Sequence, residues 1–170
     1  MLAPRTDAHL RSVQPCHRAG LMDALAMQED DRLLDIGCGD GRVLVWAAQD
    51  VHGVTCVGYE IDEARVKGAQ DDVRNAGLES RVDVRHGNAL EAGLDGVSHV
   101  FLFLTTRGMR KVLPMLQAAQ QKLRVVSMWF KFDNVAPDET RKLDDERGMR
   151  HPLYIYTLGG SGSGSVPSSQ

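Results

Sequence analysis

The sequence predicts an α/β fold: a doubly wound, mostly parallel sheet between two layers of helix. Three observations carry this. Short, nearly all-apolar, β-branched runs recur at 32–36, 54–60, 81–86, 97–104 and 123–132, with a last one at 151–158. Strands that are apolar on both faces belong in a sheet covered on both sides. Amphipathic segments of helical period separate the runs, which is the pattern of parallel strands joined by crossover helices. A glycine-rich stretch, "LLDIGCGDGRVL", stands at the first change from strand to helix.

The elements follow in order. An opening helix forms around Leu21, Met22 and Leu25, before the strand "RLLDI". The segment 41–50 stacks Val43, Ala47, Ala48 and Val51 on one face. The segment 62–78 does the same with Val66, Ala69, Val73 and Ala76, and Gly77 serves as its stop. After the fourth strand, "KVLPMLQAAQQKL" reads as a helix. Pro114 fits there only in the first turn, which places the start near Lys111. The polar stretch 133–150 has no clean period and reads as a surface excursion with at most one short helix. The final strand is expected to run antiparallel. Residues 1–158 make one domain, with 1–28 as an N-terminal segment and helix covering the site. Residues 159–170 form a flexible Gly/Ser tail.

Composition narrows the function classes. With 20 basic and 23 acidic residues the formal net charge is −3, so nothing draws the whole chain toward nucleic acid or anionic lipid. The three cysteines, Cys16, Cys38 and Cys56, are odd in number and widely spaced. They fit reduced thiols in an intracellular, cytoplasmic compartment, and no ligand spacing suggests a metal. No apolar run reaches the roughly 18 residues of a membrane span. The N-terminus carries Arg5, Arg11 and Arg18, which leaves a mitochondrial transit peptide as the alternative location.

Ligands of such sheets bind beyond the carboxyl ends of the strands, where the glycines lie. The spacing is GxGxG, from Gly37 through Gly39 to Gly41. A dinucleotide fingerprint would need glycine at the position held by Arg42. Asp35, just before the loop, is awkward for a phosphate and welcome for an amine. Glu60 ends the second strand about twenty residues on, where an acid accepts ribose hydroxyls. Asn88, after the third strand, offers hydrogen bonds to an adenine edge, with Ala89 and Leu90 beside it. Each has a plainer reading: a turn for the glycines, a helix cap for Glu60, a turn residue for Asn88.

Together these three loops resemble the class I S-adenosylmethionine-dependent methyltransferases, over residues 13–158. The resemblance implies a Rossmann-like three-layer fold with S-adenosylmethionine as cofactor and S-adenosylhomocysteine as product. It also implies cofactor contacts from Asp35, Gly37, Cys38, Gly39, Gly41, Glu60, Ile61, Asn88 and Ala89. Asn88 stands where the family usually has Asp; it keeps an acceptor and adds donors. Within the superfamily, "SVQP", "DGRVL", "VGYEID", "HVFLFL", "KVLPMLQ", "RVVSMWF" and "PLYIYTL" are similar to a small branch of protein-lysine methyltransferases. That branch modifies the ATP synthase c subunit and the adenine nucleotide translocase, and implies a protein lysine as acceptor. Its members carry a hydrophobic segment ahead of the domain that has no counterpart here, which speaks against a membrane-embedded substrate.

The acceptor side is less defined. The loop after the fourth strand, "FLFLTTRG", lacks the Asp/Asn-Pro-Pro-aromatic motif that grips a base amine, so no nucleic-acid partner is expected. It also lacks paired glutamates for a guanidinium and clustered acids for a metal. Thr105, Thr106 and Trp129 are the candidate lining, with helix start, turn and core as their structural alternatives. No general base stands out: His86, His99 and His151 have no carboxylate or cysteine at fixed spacing and read as structural. Three other functions stay open at this point: a small-molecule methyltransferase, a non-catalytic module holding the cofactor or its demethylated product, and, more remotely, an NAD-linked reductase.

Overall fold

A computed structural model of the chain describes residues 13–91 and 93–160. The arginine-bearing stretch 1–12 and residues 161–170 of the expected tail lie outside the described residues, whereas Gly159 ends the last strand and the Gly160 N–H donates to the Ala119 carbonyl at 3.0 Å. A 3-10 turn (Pro15–His17) leads into α1 (Arg18–Leu25), β1 (Arg32–Ile36), α2 (Arg42–Asp50), β2 (Thr55–Glu60) and α3 (Glu63–Asn75). β3 (Val82–His86), a 3-10 turn (Ala89–Glu91), β4 (His99–Leu102), α4 (Thr106–Gln117) and β5 (Lys122–Met128) follow. β6 (Glu139–Asp144) and β7 (Arg150–Gly159) close the chain.

The seven strands form one sheet in the order β3-β2-β1-β4-β5-β7-β6. The first five run parallel, and β7 pairs antiparallel with both β5 and β6. Alternate residues of each central strand serve opposite faces. Leu33, Phe101 and Val126 pack with α1, α2 and α3. Leu34, Val100, Leu102 and Val125 pack with Met109, Val112 and Leu116 of α4. The cover is unequal, three helices against one and a 3-10 turn among the described residues.

Local signals set most boundaries. Asp62 Oδ1 accepts the Arg65 N–H at 3.1 Å and starts α3; Gly77, at φ +66°, follows its last turn. Three expectations need correction. α4 begins at Thr106, not near Lys111, and Pro114 lies inside it, because Thr105 caps the helix and its buried face already includes Met109. The excursion 133–150 contains strand β6 rather than a helix, since its half-buried positions, Arg141 and Leu143, alternate. The runs 97–104 and 123–132 leave the sheet early, at Leu102 and Met128. Trp129 turns the chain with φ +72°.

Candidate active site

The carboxyl ends of β1, β2 and β3 meet at the glycine stretch. Gly37, Gly39 and Gly41 all take left-handed φ, at +79°, +58° and +73°. Such values strain any residue with a Cβ. Their surroundings differ. A Cβ at Gly37 would meet Leu104 Cδ2 at 3.1 Å, and one at Gly41 would meet Ala69 Cβ at 3.2 Å. One at Gly39 would meet nothing within 4 Å. Two glycines therefore serve close packing of the chain on itself, and Gly39 alone faces open space.

The amides of the loop are turned inward. The N–H groups of Gly37 and Cys38 donate to the Tyr59 carbonyl (2.8 and 3.0 Å), and that of Gly41 donates to the Cys38 carbonyl (2.9 Å). Asp40 sits at the start of α2, accepting from the Arg42 backbone N–H and chelated by its guanidinium. A helix start so occupied by a carboxylate is a poor cradle for pyrophosphate. The dinucleotide alternative loses its site.

Glu60 is the joint of the crevice. Its Oε2 accepts the Gly39 N–H (3.0 Å), and its Oε1 accepts those of Ile61 (2.8 Å) and Asp62 (3.0 Å). A carboxylate offers about four acceptor positions. One further donor fits without loss; two ribose hydroxyls fit only if one amide lets go. The Glu60 carbonyl also accepts the Gly87 N–H at 3.0 Å, which ties in the third loop. There Asn88 is exposed and its Oδ1 accepts the Leu90 N–H at 3.1 Å, while Ala89 is buried. Ile61 is 76% exposed, an unusual state for a large aliphatic side chain beside a crevice.

Asp35, only 2% exposed, lies at the end of β1. Burial first, then the nearby Asp40 and Glu60 carboxylates, push its carboxyl up to about 8. A group so placed favours a cation as neighbour. Cys38 offers backbone only: its side chain is buried in the core against Gly58, and burial pushes the thiol up, so no thiolate nucleophile is available.

The acceptor candidates spread apart. Thr105 is exposed, and its Oγ1 accepts the Gly108 N–H at 3.3 Å to cap α4. Thr106 lines a cleft of about 250 Å³ together with Met109, Arg110, Lys131 and Phe132. Leu104, packed against Gly37, joins this end of α4 to the glycine loop. Trp129 is half-buried beyond β5, against the opposite face of the sheet from α4.

A family model for the ANTKMT methyltransferase domain matches residues 35–139, from Asp35 to the start of β6. The chain belongs to this methyltransferase family. Among relatives, it is 31% identical over 140 residues to a protein-lysine N-methyltransferase of Saccharolobus islandicus, covering 82% of this chain and 86% of that one. It also resembles the crystal structure of an RNA methyltransferase from Salinibacter ruber in complex with S-adenosyl-L-homocysteine. The TM-score is 0.76 at 28% identity, with 93% of this chain and 99% of that chain covered. An S-adenosylmethionine-dependent methyltransferase from Thiobacillus denitrificans, also holding S-adenosyl-L-homocysteine, shares the fold. Its TM-score is 0.56 at 21% identity, over 79% and 60% of the two chains. S-adenosylmethionine is the cofactor of this methyltransferase. The crevice suits it: open space over Gly39, a buried acid for a cationic end, and no phosphate cradle.

One assembly was not visible in the sequence. His151, read as a histidine without a carboxylate, has its Nε2 3.0 Å from Asp145 Oδ2, and its Nδ1 accepts the Trp129 indole N–H at 2.9 Å. The His17 ring lies against it, centroids 4.4 Å apart. Residues 17, 129, 145 and 151 follow no motif spacing, and only the β6–β7 hairpin brings the last two together. Among the described residues, no helix is long and apolar enough to cross a membrane.

Proposed function

We propose that this methyltransferase modifies the side-chain amine of a protein lysine. The observation that carries this reading is the 31% identity with the Saccharolobus islandicus protein-lysine N-methyltransferase across 82% of the chain. The cofactor roles follow from the chemistry of the crevice. Asp35 faces the cationic amino-acid end, and bare backbone at Gly39 admits the ligand between Gly37, Cys38 and Gly41. Glu60 takes the ribose, while Ile61, Asn88 and Ala89 border the adenine. Bound there, the cofactor supplies a methyl group on a sulfonium, an electrophile that already carries its leaving group.

The protein has to align the amine and let it shed a proton. Phe103, Leu104 and Trp129 are half-buried aromatic and aliphatic groups beyond β4 and β5. Apolar surroundings lower an amine's pKa and favour the neutral nucleophile. Alignment itself supplies much of the acceleration of such a displacement. The described residues up to 158 act as one domain, with α1 and the turn before it over the acceptor side. The free thiols of Cys16, Cys38 and Cys56 suit a reducing cytoplasm.

RNA is the second reading, favoured by the 28% identity with the Salinibacter ruber enzyme. One experiment separates the two. The protein is incubated with tritiated S-adenosylmethionine and a cell extract, which is then divided into protein, RNA and small molecules. Lysine transfer predicts label in protein that resists ribonuclease and disappears when lysine amines are acetylated beforehand. Label in RNA, or in metabolites, overturns the lysine reading.

A further inference from the structure

We propose that Asp145 and His151 are positioning residues for Trp129, and that the indole they hold forms one wall of the methyl-acceptor site. The choice of acceptor rests on the lysine reading above; the relay itself does not.

The direction of each hydrogen bond is fixed by chemistry. An indole N–H can only donate, so His151 Nδ1 accepts, at 2.9 Å. The remaining ring proton then sits on Nε2 and is donated to Asp145 Oδ2, at 3.0 Å. The other oxygen of Asp145 accepts the backbone N–H groups of Arg147 (2.9 Å) and Met149 (2.8 Å). The His151 ring N–H first, and then the Met149 and Arg147 amides, hold the Asp145 carboxyl below the usual carboxylate range, so it stays charged. The relay thus runs from the β6–β7 turn through a carboxylate and an imidazole to the indole edge. His17, with Nδ1 accepting the Gln14 N–H at 3.0 Å, packs its ring on His151 and presses the N-terminal turn against the relay.

Packing alone does not call for this arrangement. His151 is 1% exposed and Asp145 8%, and apolar residues would fill the same space without the cost of desolvating a charge. Trp129 meanwhile holds a left-handed φ of +72°, and its own N–H donates to the Pro152 carbonyl at 2.9 Å. Backbone strain and a buried polar relay converge on one half-buried aromatic. That residue is the first beyond the carboxyl end of β5, two strand spacings, or about 10 Å, from the β1 end where the glycine loop begins. The indole meets His151 by its edge, with ring centroids 5.2 Å apart at 80°, and Trp129 packs against the core while staying only half-buried, so part of it is open to an acceptor. An aromatic face there packs the aliphatic stem of a lysine and excludes water from its amine. Trp129 lies within the family match at 35–139; Asp145 and His151 lie beyond it.

The test uses the full chain and a pool of N-acetylated, tryptophan-free lysine peptides. Trp129→Phe keeps an aromatic ring but loses the anchoring N–H; His151→Leu removes the relay, and His151→Asn restores an acceptor near Nδ1. Trp129→Phe and His151→Leu are expected to raise the peptide KM about tenfold, the scale of one lost hydrogen bond. The Kd for S-adenosylmethionine stays within about twofold on the same scale, and His151→Asn recovers part of the loss. A folded Trp129→Phe protein with unchanged peptide KM overturns the proposal, as does cofactor affinity falling in step. If wild-type protein labels RNA or a metabolite instead of peptides, the lysine reading fails. The same KM comparison on that acceptor then decides the relay.

Discussion

Asp35 is a carboxyl group sealed at the end of β1, with two other carboxylates nearby and its protonation pushed up to about 8. An acid whose folded value lies above its ordinary one stabilises the fold fully below the ordinary value, about pH 4. That contribution is lost as pH rises toward 8. Thermal melts of the cofactor-free protein from pH 5 to 8 should therefore fall more steeply for wild type than for Asp35→Asn, where nothing ionises. Parallel curves would refute the buried acid. The places of Asp35 and Glu60 as acids at the strand ends beside the glycine turn were both legible, because each lies within one strand–turn–helix unit. Which glycine faces open space was not: Leu104 and Ala69, the groups that fill the space beside Gly37 and Gly41, come from other elements.

Elements that obey propensity only in part show what tertiary packing adds. α4 carries Pro114 at an exposed interior position, where the ring removes an N–H that would donate to the Arg110 carbonyl. An interior proline costs about 3 kcal/mol. Burial of Met109, Val112 and Leu116 offsets it, at about 1.5–3 kcal/mol for each large side chain. Pro114→Ala should accordingly stabilise the protein by about 1–3 kcal/mol, read as a rise of several degrees in Tm. A lower Tm would mean that the proline's restriction of the unfolded chain matters more. β6 shows the converse. Its sequence, Glu139–Asp144, is polar enough to resemble a loop, yet a charged edge strand is a protected edge. Leu143 settles its place by filling the space over Gly20 of α1, where a Cβ would lie 2.3 Å from Leu143 Cδ2.

At the scale of the whole molecule, cofactor binding and stability are linked. A ligand at one hundred times its Kd adds about 2.7 kcal/mol, which for a chain of this size is about 5–10 °C in Tm. Gly39→Arg costs about 1–2 kcal/mol of backbone strain, because its side chain enters open space instead of the core. The variant should melt a few degrees lower and lose the S-adenosylmethionine-dependent shift. A full shift in the variant would place the ligand elsewhere. The unequal cover of the sheet belongs to this scale too. Three helices bury one face, and the acceptor candidates divide between the two, with Trp129 on the helix-rich side and Thr106 beside α4.

The sequence by itself determined the parallel core, the glycine turn and the acids around it. Each of these depends on residues within one strand–turn–helix unit, where spacing and backbone sterics decide. Tertiary structure alone decided that Pro114 could stay helical, that β6 would pair, and that Trp129, Asp145, His151 and His17 would share one assembly. Those outcomes depend on contacts between distant segments, whose energies outweigh local preference and leave no periodic trace in the chain.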